Sequence, residues 1–133
     1  MTQQNITPAS GRLGVLLPGI GAVASTFIAG VMAARRGIHP PIGSVSQMAN
    51  IRLGSREEDR NPLIRDFVSL AELDDLVFGG WDPISPNAME AAKTAGVLQG
   101  ADLEEVAKEL EGIVAMEAVF DEKWVSRLTG VRV

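Results

Sequence analysis

The chain of 133 residues contains no cysteine. That absence excludes a disulfide scaffold, a thiolate metal site and a cysteine nucleophile, and it agrees with a reducing, cytoplasmic setting. Histidine is almost missing too. His39 stands alone beside Pro40 and Pro41, in turn material rather than the setting of a base or metal ligand. Positive charge is in deficit: 12 Lys and Arg against 17 Asp and Glu give a net charge of −5, which argues against a general nucleic-acid binder. The first ten residues carry no positive side chain, so no secretory leader is expected. Repeats, low-complexity tracts and flexible linkers are absent as well. What remains is 46% hydrophobic, enough for the core of one domain and too apolar for intrinsic disorder.

The charges present are unevenly laid out. Residues 1–65 hold seven Arg and three acids, whereas residues 66–133 hold five bases and fourteen acids. Arginine forms forked hydrogen bonds to phosphate and carboxylate. Arg35, Arg36, Arg52, Arg56 and Arg65 therefore have two readings, an anionic ligand or the acidic half of the same chain. Glu57, Glu58 and Asp59 fall in a polar loop over residues 55–62, where a charge cluster is a solvated surface and no metal site is expected.

Between Arg12 and Arg35 no residue is charged. A membrane-spanning helix needs about 20 apolar residues, but Pro18, Gly19, Gly21, Ser25, Thr26 and Gly30 interrupt this stretch, so no membrane role is expected. It divides better into three parts. Residues 12–17 form a short apolar run of the kind found in a strand buried on both faces. Residues 18–21 make a tight turn. Residues 22–36 form an Ala-rich helix with Val23, Phe27, Val31 and Ala34 on one face, and Ala22, Ala24, Ala29 and Gly30 would let it lie close to a sheet.

Strand, glycine turn and helix open a dinucleotide-binding domain. The turn Gly19-Ile20-Gly21-Ala22-Val23-Ala24 fits G-x-G-x-x-G/A with Ala in the last place. Gly19 allows the sharp turn, Gly21 lets backbone approach a pyrophosphate, and Ala24 permits close packing of helix on strand. The helix start then offers N–H groups and the positive end of its dipole to phosphates. One expected part is missing. The acid that grips the ribose falls about 20 residues after the glycines, yet residues 37–46 contain no Asp or Glu.

A second strand is expected over residues 75–81, ending in Gly79-Gly80-Trp81-Asp82-Pro83. Ligands of open α/β sheets sit outside the carboxyl ends of the strands. If this strand runs parallel to the first, Trp81 offers a flat apolar face and Asp82 can accept two ribose hydroxyls. The alternative is a strand-end turn in which Asp82 caps the following helix, and the residues by themselves leave both open. That helix is expected over residues 86–97, with a second capped by Asp102 over 101–113 whose Leu103, Val106, Leu110 and Ile113 share a face. Residues 47–53 are expected to form a short strand with Ile51 and Leu53 on one side. Residues 63–70 allow strand or turn, and residues 121–128 a further helical turn or two.

Four segments together resemble the N-terminal part of the myo-inositol-1-phosphate synthase (inositol-3-phosphate synthase) family in its bacterial branch. They are GVLLPGIGAVASTFIAGV, SVSQMANIRLG, DLVFGGWDPISPNAMEAAKTAGVL and AVFDEKWVSRLTG, which cover nearly the whole chain. Eukaryotic members continue the glycine turn with paired asparagines, where Val23 and Ala24 stand here, so those side-chain contacts do not carry over.

The resemblance implies an α/β, Rossmann-like NAD-binding fold with a parallel sheet and flanking helices. It also implies an NAD-dependent isomerase that converts glucose 6-phosphate to inositol 3-phosphate by oxidation, aldol cyclisation and reduction, for inositol and phospholipid biosynthesis. The matching positions are Gly19, Gly21, Ala22, Val23 and Ala24 for the pyrophosphate, and Asp82 with Trp81 for the ribose. This tips Asp82 toward ligand contact. Family members are far longer and place their catalytic lysines and tetramer-forming domain later. None of Lys93, Lys108 or Lys123 matches those motifs, so no catalytic residue is assigned. Residues 1–133 are accordingly expected to be the front portion of the NAD-binding domain, with the catalytic domain outside it as a continuation or a second chain. A stand-alone nucleotide-binding or interaction module without chemistry is the competing reading.

Overall fold

A computed structural model describes residues 10–84 and 87–118. Three parallel strands form one sheet, β1 (Leu13–Pro18), β2 (Leu76–Asp82) and β3 (Met116–Glu117), in spatial order β1-β2-β3. The β1–β2 register runs from Leu13 opposite Leu76 to Pro18 opposite Trp81. At the far end of β2, Trp81 and Asp82 pair with Met116 and Glu117. The expected strands at 12–17 and 75–81 are thus present within a residue, and they are parallel. Gly79 and Gly80 lie inside β2 rather than bounding it.

The helix α1 (Ala22–Arg35) follows the glycine turn. It stops at a Schellman motif. Gly37, at φ +67, donates to Ala34 O at 3.0 Å, and Ile38 donates to Ala33 O at 3.0 Å. A left-handed residue at this place suits glycine, which has no Cβ to clash. Ile38 then tucks against the core.

The buried face of α1 is Ala24, Ser25, Ile28, Ala29, Val31 and Met32. The expected face is rotated: Val23 is 85% exposed and Phe27 45%. Helical spacing fixes a period and not a phase. With alanines all round, the phase is set by what anchors the helix, here a wholly buried Ile20 in the turn before it. Phe27 still meets Phe78 edge-on, with centroids 5.6 Å apart.

Residues 38–75 hold no strand. Where one was expected over 47–53, the chain forms the short helix α2 (Val45–Met48) and two isolated antiparallel bridges, Asn50–Leu63 and Leu53–Arg60. A 3-10 turn at Arg56–Glu58 fills the polar loop, closed by a capping box between Ser55 and Glu58. Then come α3 (Ile64–Phe67) and a 3-10 turn at Leu73–Asp75. Backbone bonds from Ile51 N to Pro62 O and from Ile64 N to Ala49 O fold this excursion on itself. It is inserted between α1 and β2, the parallel neighbour of β1, so residues 37–46 do not stand at the end of a second strand and Asp82 does.

After β2, Asn87 caps α4 (Ala88–Ala95) by accepting from Glu90 N at 2.9 Å. Asp82 is therefore not the cap of that helix. The expected single helix over 101–113 is two, α5 (Gly100–Glu105) and α6 (Ala107–Glu111), broken at Val106 with φ −118 and ψ 14. Gln99 takes the N-cap position expected for Asp102, which lies in the first turn instead. Leu103, Val106 and Leu110 are buried and Ile113 packs beside them, so the apolar face is as expected. Residues 121–128 lie outside the described part.

Ile20, Ile28, Met32, Phe78, Met89, Leu103, Val106 and Leu110 belong to one core, with Val15 and Leu17 against it. The other side of the sheet is bare among the described residues, with Leu16 60%, Val77 44% and Trp81 38% exposed. The run at 12–17 was read as a strand of the kind buried on both faces, and the described residues cover one of those faces. The strands step in one direction, and right-handed crossovers that do so place their helices on one face. No helix among the described residues is long and apolar enough to cross a membrane.

Candidate functional site

The glycine turn lies at the carboxyl ends of β1 and β2, where open α/β sheets bind ligands. Pro18 closes β1, and Gly19 turns the chain at φ +99, a conformation that L side chains avoid. Three contacts set the turn. Gly19 donates to Trp81 O at 2.7 Å. Ile20 donates to Asp82 Oδ2 at 2.9 Å, and the Ile20 side chain is fully buried. Asp82 Oδ1 accepts from Ile84 N at 2.8 Å, which ties the start of the β2–α4 loop to the same carboxylate.

Gly21 is the N-cap of α1 and supplies no side-chain cap. The first bond to it comes from Ser25 N at 2.9 Å, so Ala22, Val23 and Ala24 carry the amides that a helix leaves without partners inside itself. A Cβ placed on Gly19 or Gly21 would meet nothing within 4 Å. Open space over bare glycine backbone beside a helix start leaves room there for an anionic group. The two ends of the predicted site are thereby adjacent: Gly19, Gly21, Ala22, Val23 and Ala24 form one wall, with Trp81 and Asp82 next to them. Trp81 sits on the side of the sheet that the described residues leave bare, half-exposed, and Asp82 is partly buried.

The profile of the family described as myo-inositol-1-phosphate synthase matches residues 13–133. The chain belongs to this family. It is 50% identical to inositol-3-phosphate synthase 1 of Bacteroides thetaiotaomicron over 98% of its own length and 30% of that protein's. Inositol-3-phosphate synthase isozyme 1 of Arabidopsis thaliana is 32% identical, over 91% of this chain and 26% of the relative. The chain thus spans under a third of the relatives it matches. The solved structure of inositol-3-phosphate synthase from Caenorhabditis elegans has the same fold, with a TM-score of 0.69 at 22% identity, covering 90% of this chain and 27% of that one.

In this member of the synthase family, several residues singled out in sequence lie away from the glycine turn. Arg35 and Arg36 end the helix that the turn begins, roughly 20 Å away at 1.5 Å per residue. Arg35 Nε donates to Leu73 O at 2.7 Å and Nη2 to Leu76 O, with Asp74 at 3.9 Å and the Phe78 ring beneath at 5.8 Å. Arg36 meets Glu105 O and Glu109, and Arg65 meets Asp66. For these three the acidic-neighbour reading describes the contacts. His39 is exposed, 4.0 Å from Asp102. A cavity of about 950 Å³ runs along the flank of α1 beneath residues 39–47, and none of Gly19, Gly21, Trp81 or Asp82 lines it. Size is a weaker guide here than position, because that cavity is mostly apolar and lies away from the helix start.

Sequence reasoning missed two parts of this site. One is the Ile20 amide as the partner of Asp82, invisible because the two residues are 62 apart in the chain. The other is Gly80, where a side chain would run into the Leu17 carbonyl of the neighbouring strand. Its place beside Gly79 was the available signal.

Proposed function

We propose that this chain is the N-terminal, NAD-binding portion of an inositol-3-phosphate synthase. That enzyme isomerises D-glucose 6-phosphate to 1D-myo-inositol 3-phosphate by oxidation, aldol cyclisation and reduction. NAD, when bound, supplies the hydride acceptor and donor for the first and last of these. The chain's own residues bind and orient it. The amides of Ala22, Val23 and Ala24 take the pyrophosphate over Gly19 and Gly21, and Asp82 accepts from the ribose hydroxyls with Trp81 alongside.

The observation that carries this reading is the junction of the uncapped α1 start with Trp81 and Asp82 at the ends of two parallel strands. Family membership supports it independently. The catalytic residues, the homotetramer contacts and the phosphate end of the sugar belong to a later domain in the same proposal, and the enzyme works in the cytoplasm.

Calorimetric titration of the chain with NAD tests the binding half. Saturable binding, weakened at least tenfold by Gly21→Ala, is expected, and no heat at millimolar NAD would overturn it. The reading frame tests the other half. A frame running past Val133 into lysine-bearing motifs supports the synthase, whereas a stop codon there supports a stand-alone module. Turnover of glucose 6-phosphate by residues 1–133 alone would contradict the division of labour.

A further inference from the structure

Asp82 is bonded through Oδ2 to the glycine turn and through Oδ1 to the loop that follows β2. Its two oxygens accept from two backbone amides, Ile20 at 2.9 Å and Ile84 at 2.8 Å. Bonds to a charged acceptor are roughly twice as strong as neutral ones. The Ile20 peptide needs such a hold. It lies between Gly19 and Gly21, the two residues of the turn with the widest backbone freedom. Downstream of it, with no intervening side-chain cap, come the three amides that begin α1. The Ile20 peptide thus leads directly, through Gly21, into the amides of Ala22, Val23 and Ala24. The neighbouring anchor, Gly19 N to Trp81 O, comes from the residue before Asp82, so two consecutive residues of β2 grip two consecutive residues of the turn.

We infer that Asp82 is a positioning residue for the pyrophosphate site: by fixing the Ile20 amide it holds the α1 amides in the direction a diphosphate needs. The inference rests on the NAD-binding reading above and gives Asp82 a second task beside the ribose. The two tasks separate by ligand. A ribose contact acts equally on any ligand that carries the ribose. A brace on the turn acts on the extra affinity that phosphates bring.

Adenosine, ADP and NAD are titrated into the full chain, in wild type, Asp82→Asn and Asp82→Ala, with folding of each checked by circular dichroism. Amide hydrogen exchange is followed at Ile20. In Asp82→Ala the ratio of ADP to adenosine affinity is expected to fall about tenfold, and exchange at Ile20 to quicken. Asp82→Asn keeps one carbonyl-type oxygen and the same shape, so its ratio falls less but still falls. If Asp82→Ala does not fold, Asp82→Asn decides. An unchanged ADP-to-adenosine ratio, with both ligands weakened alike, overturns the brace and leaves only the ribose contact. Wild type that binds neither ADP nor NAD overturns the parent reading, and the brace falls with it.

Discussion

Gly80 faces Leu17 so closely across the β1–β2 ladder that a Cβ on Gly80 would overlap the Leu17 carbonyl oxygen and sit 3.1 Å from Ile20 Cγ1. Backbone cannot retreat as a flexible side chain can. Gly80→Ala is expected to cost about 1–3 kcal/mol, read as a lowered urea midpoint. Gly79 is the internal control. Its Cβ would meet only Leu16 Cδ2 at 3.6 Å, so Gly79→Ala should stay within about 0.5 kcal/mol.

The two glycines of the turn separate stability from binding. Gly19 stands at φ +99 with open space around it, so Gly19→Ala is strained by conformation alone, about 1–2 kcal/mol. Gly21, at φ −92, tolerates a side chain, and Gly21→Ala should leave the midpoint within about 0.5 kcal/mol of wild type. NAD affinity should fall for both, because a Cβ at Gly21 stands where the pyrophosphate approaches. Unaltered NAD binding by a folded Gly21→Ala protein would remove Gly21 from the site.

Arg35 fastens the end of α1 to the chain entering β2. Arg35→Ala strips two carbonyl acceptors of their charged donor and is expected to destabilise by about 2–3 kcal/mol. Arg35→Lys should recover less than half, since one ammonium does not reproduce a planar fork reaching both Leu73 O and Leu76 O. Once corrected for folding, NAD affinity should be untouched by either. A selective loss of NAD binding would return Arg35 to the role of an anion ligand.

Asn87→Ala removes the side chain that accepts from Glu90 N and should cost about 1 kcal/mol through α4. Asp82→Ala should not reproduce a capping defect in α4, and helix content by circular dichroism distinguishes the two.

Local chemistry made much of this legible in advance. The uncharged run at 13–17, the glycines at 19 and 21 and the alanines after them specify strand, turn and helix within a few residues, because each choice depends on its neighbours. The same holds for β2 and for the apolar face of Leu103, Val106 and Leu110. Residues 47–53 misled for an equally physical reason. Ile51 and Leu53 do alternate, and both are half-buried, but their partners are two residues of one small loop, Arg60 and Pro62, rather than a neighbouring strand. Period-2 spacing says which side chains point together and nothing about what the backbone pairs with.

By itself the sequence determined the two strand segments, the glycine turn between β1 and α1, and the family whose pattern they carry. Those features are written in residues close together in the chain. Tertiary structure alone decided the phase of α1, the sheet face that the described residues leave bare and the contact of Asp82 with Ile20. Each depends on contacts between distant segments: Ile20 in the core, crossovers that all step one way, and a carboxylate that reaches an amide 62 residues earlier. Asp82 could be placed at a strand end from its neighbours. Only the fold shows that one oxygen of it holds the glycine turn.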